Sequence, residues 1–373
     1  MYRVICTTHE KEYDLLNFND EDFIIYNTKL TMEINKAGSF EFMITGDHPS
    51  YSAIYPVITV VKVFQDEQWL FSGRVCDLSK DFYKVKTVYC EGILSYLCDS
   101  RVRPYNWNGT TEGYLQKLIT EHNSHVNPDR QFKIGQIISA DSQLQAENNS
   151  YLTTMEELQE NLISEKGLHV EAIETGKELL INCTKEILYE NTQEILFGEN
   201  ILDLEEQISG TELKTVMLGI GGADKKGNVI SVEVENQDGI QTFGRIEGKK
   251  DFPDITNAEK LKQLTKEWLN SVWELSRVIE IKAVDLNMIE SETERLRLGH
   301  VNVMSEPHGL QGRMILSKIT KYLTEPEKDS FVLGWEGKFY TERVINELSG
   351  QKRNGASTDL QAMTKEELEE ILV

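Results

Sequence analysis

The sequence predicts an α+β fold dominated by strands, and three observations carry that expectation. β-branched and alternating runs recur through the first hundred residues and again after residue 200. Helical periodicity is confined to a few short segments between them. A small set of landmarks also occurs twice, once in each β-rich region. At 373 residues, 39% hydrophobic and 27% charged, the chain is long enough for two or three domains with sizeable cores.

Residues 1–100 read as strands. Ser39–Thr45 partly alternates apolar and polar positions, and Val57–Phe64 is long and β-branched. Asp66–Gln68 is a tight polar connection, after which Trp69–Val75 and Lys84–Cys90 resume the strand pattern. Short strands joined by brief turns suggest a small barrel or sandwich. Thr111–His122 then places Tyr114, Leu115, Leu118 and Ile119 on one helical face. Ser139–Ser150 is polar and reads as a loop. A second helix starts at Thr153 or Thr154, each followed three residues later by a Glu in capping-box spacing. Leu168–Ile173 and Glu178–Cys183 form a hairpin through Thr175-Gly176.

Lys214–Ile220 and Asn228–Glu235 are strands around Gly221–Gly227. That Gly-rich stretch lacks the Gly-Lys-Ser/Thr ending of a phosphate loop and is flanked by strands, so it reads as a hairpin. Thr256 and Glu259 offer a capping box for a helix to about Val272, with Leu261, Leu264, Trp268 and Leu269 on its apolar face. Strand patterns return at Arg277–Asp285, His300–Met304, Gly312–Leu323 and Phe331–Trp335. Gly350–Thr358 resembles a linker. Beyond it, Thr364 caps a short amphipathic segment with Leu368, Ile371 and Leu372 on one face, to dock either on this chain or on a partner.

Gly73-Arg74-Val75 lies between two strands in a module that closes at Glu91-Gly92. Gly312-Arg313-Met314 lies in the same arrangement, closing at Glu336-Gly337. The spacings differ by several residues, so the repeat is structural or is a coincidence of two ordinary meanders. As a repeat, it would let three chains build a ring of near-sixfold symmetry.

The chain carries 39 basic and 62 acidic residues, a net charge of −23. That balance opposes binding to nucleic acid or anionic lipid. No run is long and apolar enough for a membrane span, and the N-terminus shows no secretion signal, so synthesis and folding in a cytoplasm are expected. Five scattered cysteines without a C-x-x-C pair form neither a disulfide framework nor a zinc site. His122 and His125 stand three apart, but with no third ligand marked they read as a solvated helix end. Trp107 is placed in a loop, as a contact residue or as loop packing. No H-E-x-x-H, no G-x-S-x-G and no H-x-E with a later P-C-x-x-C is present, while 62 acidic residues leave Asp/Glu pairs for glycoside hydrolysis open without any motif to mark them. No catalytic, cofactor-binding or metal-binding residue is therefore expected, and no cofactor.

The ordered landmarks carry a resemblance. They run from Ser39-Phe-Glu-Phe42 through Asp47-His-Pro49, Phe71–Val75, Cys90-Glu-Gly92 and Leu97–Ser100. They continue with Asp251–Thr256, Ala283–Leu286, Leu298–Val303, Ile315–Leu323 and Leu333-Gly334. This series resembles the bacteriophage tail hub and prophage endopeptidase tail family, including the N-terminal hub part of tail-associated lysins, and is similar to the myophage baseplate hub. It covers about residues 1–340, and no single motif in it is diagnostic.

The resemblance implies two related small β-barrel domains plus a peripheral α/β domain. The first barrel would be 1–100 and the second 196–244 with 298–340. The peripheral domain would be 101–195 with 245–297, and 341–373 would be a linker and an acidic helix. It implies a homotrimeric ring at the virion tail tip, adapting a sixfold tube and letting DNA pass. The partners would be a distal tail or tail tube protein, the tape measure protein, and fibre or lysin components. Larger members continue into a peptidase or lysozyme module. This chain stops at Val373, so hydrolytic activity is not carried over and a non-enzymatic role is expected. Alternatives are a tail-tip peptidoglycan hydrolase and the hub of a contractile bacteriocin-like injection machine. Three copies at −23 each would put −69 on such a ring, a charge that would keep DNA off its wall.

Overall fold

The computed structural model of the chain describes residues 2–138, 143–176, 178–187, 189–223, 229–252, 255–273, 276–290 and 292–334. The fold is β-rich, as expected. Among the described residues two compact units are present: 2–203 with 281–306 and 315–332, and 204–280 with 307–314 and 333–334.

The first unit opens with β1 (Tyr2–Thr8), β2 (Lys11–Asn17), β3 (Tyr26–Glu33) and β4 (Ser39–Ile44). β5 (Val60–Gln65), β6 (Gln68–Lys80) and β7 (Lys86–Gly92) follow. They run antiparallel in the order β3-β4-β7-β6-β5-β1-β2. Two tight hairpins set the register. His9-Glu10 and Asp66-Glu67 all have positive φ, the primed-turn geometry that matches strand twist. The inward positions supply an apolar core of Val4, Leu15, Leu30, Phe40, Phe42, Val61, Val63 and Val88, all buried. Gly73 sits opposite Gly92 across β6 and β7. A Cβ at Gly92 would lie 1.8 Å from the Ala37 carbonyl oxygen, and one at Gly73 would lie 2.3 Å from that of Glu91. Two landmarks of the echo therefore exist because backbones touch there.

A second layer of this unit has its own core. β8 (Tyr105–Thr110) precedes α1 (Thr111–Asn123); β9 (Phe132–Ile138) and β10 (Gln143–Asn148) follow. β10 pairs with β8, so the polar stretch at 139–150, expected to be a loop, contains a strand. Its signal was weak because only Leu144 and Ala146 supply apolar inward positions. The same pairing puts Trp107 in a strand, packed against Tyr114 at 6.0 Å between ring centroids, rather than in a loop. α2 (Thr154–Glu157) has the expected capping box between Thr153 and Glu156, then continues as a π-helical turn over Leu158–Ser164. β11 (His169–Thr175) and β12 (Glu178–Thr184) form the expected hairpin. β12 also pairs parallel with β9, so β11 lies at the sheet edge.

Late elements are β13 (Ile195–Leu196), β14 (Ile201–Ser209), β15 (Val216–Ala223), β16 (Val229–Glu235), α3 (Gln237–Phe243), β17 (Glu247–Phe252), α4 (Ala258–Val272), β18 (Ser276–Ala283), β19 (Gly299–Ser305), β20 (Leu310–Lys321) and β21 (Ser330–Leu333). In the second unit, β15 pairs antiparallel with β16 and parallel with β17. This is the expected hairpin at the Gly-rich stretch, of which 224–228 lie outside the described residues. α4 packs Leu269 and Val272 onto Met217 and Val234. Residues 258–272 thus share a core with 216–235, the apolar face of α4 being covered by that sheet. Its N-cap is Asn257, whose side chain accepts from Lys260 N–H, rather than Thr256.

The end of β20 returns to the first unit, pairing antiparallel with β3 from Lys318↔Glu33 to Lys321↔Leu30. Behind it lies a buried ion network. Lys321 Nζ is 2.8 Å from Asp285 and 3.9 Å from Asp329, with Lys321 and Asp285 fully buried. Gln193 Nε2 donates to Asp285 Oδ1 at 3.0 Å. Burial pushes Asp329 up to about 6 despite the nearby ammonium. Burial lowers Lys321, but Tyr2, Asp285 and Asp329 outweigh it and hold the ammonium near 12.

Candidate assembly surface

The long β6 carries the β6–β7 hairpin to an ordered tip. Asp81 N–H donates to the Val85 carbonyl at 3.0 Å, and Asp81 Oδ1 accepts from Val85 N–H at 2.8 Å. On that tip Phe82 is 93% exposed and Tyr83 80%, their rings meeting edge to face at 5.4 Å. Two adjacent aromatics held in water forgo roughly 1.5–3 kcal/mol of burial each. The same end of the sheet carries Tyr26, Tyr55, Val57 and Ile58, each about half exposed. Val57 has φ +67, a left-handed conformation rare for a β-branched residue, held by its N–H on the Val75 carbonyl at 2.7 Å. Lys86 fastens this segment, donating to the Tyr51 carbonyl at 2.6 Å and lying 4.2 Å over the Tyr51 ring; burial lowers its pKa. An apolar, structured and strained rim of this kind is what a protein–protein contact uses. The sequence showed these residues but not their exposure.

Other candidates take different places. Leu368, Ile371 and Leu372 lie outside the described residues, as do Trp335 and Glu336-Gly337. His122 is buried rather than solvated: Nδ1 meets Ser100 Oγ at 2.7 Å and Nε2 meets the Arg130 carbonyl at 3.1 Å. Burial lowers its pKa. His125 stays exposed, bonded to Glu121 and Ser124. Among the described residues no group of three His, Cys, Asp or Glu is placed to hold a metal ion. Cys6, Cys90 and Cys183 are buried, and burial raises the Cys6 and Cys183 thiols to about 12. Arg74 of the echo grips Asp99 through both terminal nitrogens at 2.6 and 2.8 Å, over the Tyr96 ring. Burial raises Asp99, yet Arg74 and Arg130 hold it below the usual carboxylate range.

Comparison with known proteins decides what this fold is. Residues 189–338 match the prophage endopeptidase tail family. Prophage tail protein gp18 from Listeria monocytogenes shares 18% identity at a TM-score of 0.60, over 93% of this chain and 98% of that one. The fold is that of a prophage tail protein. A tail protein from Neisseria meningitidis superimposes with a TM-score of 0.65 at 13% identity, over 92% of this chain and 98% of its own. A 43 kDa tail protein of prophage MuSo2 from Shewanella oneidensis gives 0.63 at 14%, over 89% and 97%. No curated protein matches the sequence. Among the described residues of this tail-protein fold, no helix is long and apolar enough to cross a membrane.

Proposed function

We propose that the chain is a non-enzymatic structural hub subunit of a phage or prophage tail tip, three copies of which close a ring around the DNA path. The observation that carries this reading is the near full-length likeness to three tail proteins, two of them from prophages. The echo adds support, since β5-β6-β7 and β19-β20-β21 are each sequential neighbours in the strand order. In each trio the Gly-Arg pair sits in the long middle strand, of 13 and 12 residues. Two such wall segments per chain suit a threefold ring on a sixfold tube. In this reading the exposed rim at Phe82 and Tyr83 meets a neighbouring subunit, or the tail tube or distal tail protein. The terminal stripe of Leu368, Ile371 and Leu372 docks on a tape measure, fibre or lysin component. The excess of carboxylates keeps the duplex from sticking during passage.

Light scattering on the full chain, alone and mixed with the neighbouring tail proteins of its prophage, tests the ring. Three copies per particle are expected in the mixture; a different number overturns it. The hydrolase alternative is tested by a zymogram on purified peptidoglycan, where clearing would overturn the non-enzymatic reading.

A further inference from the structure

The first unit holds an open cleft of about 660 Å³, lined by the β3–β4 turn, the start of β6, β11 and residues 295–298. Its chemistry is unbalanced. Arg295 spends one N–H on the Trp69 carbonyl at 3.0 Å, and its Nε and Nη1 are buried without a hydrogen-bond partner among the described residues. Arg297 Nε is likewise buried and unpartnered, its guanidinium lying 5.0 Å from the Tyr189 ring centre. The Trp69 indole N–H adds a fourth unmatched donor. Neither arginine has a carboxylate within ion-pair distance among the described residues. Of the acidic side chains of the cleft, Glu33 pairs with Lys36, Glu171 accepts from Asn182, and Glu174 pairs with Lys62 at 2.5 Å through one oxygen, its other oxygen being buried without a partner among the described residues. Burial, reinforced by Arg297, pulls the Arg295 pKa down. Unmatched buried cationic donors each cost free energy that a bound anion would recover.

The other wall identifies the anion's carrier. β11 is a sheet edge whose even-numbered residues face away from β12. Val170 N–H already donates outward to the Asn35 side chain at 2.8 Å. The outward main-chain groups of Ala172 and Glu174 therefore lie along the cleft with no strand paired to them among the described residues. Apolar Leu94, Leu298 and Ile173 complete the lining. The volume lies within the ~300–1,000 Å³ range of sites for organic ligands and exceeds what one small anion fills. We propose that this cleft takes an extended, carboxylate-bearing peptide segment of a partner protein. Its main chain would add to the β11 edge, and its carboxylate would meet Arg295 and Arg297.

The test uses the full chain and a fluorescein-labelled, C-amidated Val-Glu-Val-Glu-Val-Glu peptide, read by anisotropy at low ionic strength. Tenfold or greater weakening is expected for the Val-Gln counterpart, and again for the Arg295→Gln/Arg297→Gln double variant. The acidic peptide should also slow amide exchange at Ala172 and Glu174 of the unmodified chain, a readout that does not depend on the variants folding. Equal binding of the two peptides, or protection elsewhere than β11, overturns the proposal. Inorganic phosphate reproducing the protection overturns it in favour of a small-anion site. A full-length variant with Glu366, Glu367, Glu369 and Glu370 changed to Gln should bind the probe unchanged. Tenfold tighter binding by that variant makes the chain's own terminus the occupant and overturns the partner.

Discussion

The two cores of the first unit are built on opposite principles. The sheet core around Phe40, Phe42 and Val63 packs apolar side chains set by alternation and tight turns, with its buried charges gathered in the Lys321, Asp285 and Asp329 network beside β20. The layer around α1 and α2 buries a carboxylate. Glu157, 1% exposed, accepts from Tyr105 and Tyr114 hydroxyls at 2.5 and 2.7 Å and from Asn161 at 3.0 Å. Next to it Ser100 links His122 to Thr154. An apolar core tolerates exchange of similar volumes, whereas a polar network fails when one member is lost. The first kind specifies shape; the second specifies which helix turn faces which strand.

Breaking each core measures that contrast. Phe40→Ala, at a fully buried site, should lower unfolding free energy by about 3–5 kcal/mol in a denaturant titration, while Phe40→Leu should cost far less. Glu157→Ala strands three buried donors and should cost about 3 kcal/mol, with Glu157→Gln recovering part of it. A Glu157 variant as mild as a surface substitution would show that the network is not a structural requirement.

A third measurement sharpens the comparison through pH. Folded Asp329 keeps its proton to about pH 6, whereas an unfolded aspartate loses it near 4. Its raised pKa stabilises the fold fully below about pH 4, and that contribution is lost as pH rises through 6. The stability difference between the unmodified chain and Asp329→Asn should therefore shrink over that window; a flat difference would show Asp329 ionised throughout. The smallest effect is expected at the hairpin tip. Phe82→Ser with Tyr83→Ser should change stability by less than about 0.5 kcal/mol while removing the chain from tail particles in a pull-down. Normal incorporation would strip the rim of its assembly role.

Local devices were legible in the sequence. The Asp66-Glu67 turn, the Thr175-Gly176 hairpin and the Thr153–Glu156 capping box are set by residues within four positions of one another. β10 was not legible, because its inward positions are Leu144, Ala146 and Asn148, too polar for a strand signal. The Thr256–Glu259 spacing pointed to Thr256, but Asn257, the stronger capping residue type, takes the N-cap. The cleft was invisible for another reason. Arg295 meets Trp69 across 226 positions of chain, a separation no spacing rule reaches. The exposure of Phe82 and Tyr83 also escaped, since aromatic residues read as core until a fold places them outside.

The pairing of β20 with β3 has a consequence for the nascent chain. The open flank of the first sheet is covered only when residues 318–321 leave the ribosome, almost 300 positions after Leu30. At roughly 5–20 residues per second, that flank stays bare for about 15–60 s. Translation itself thus times the moment at which the chain ceases to be sticky.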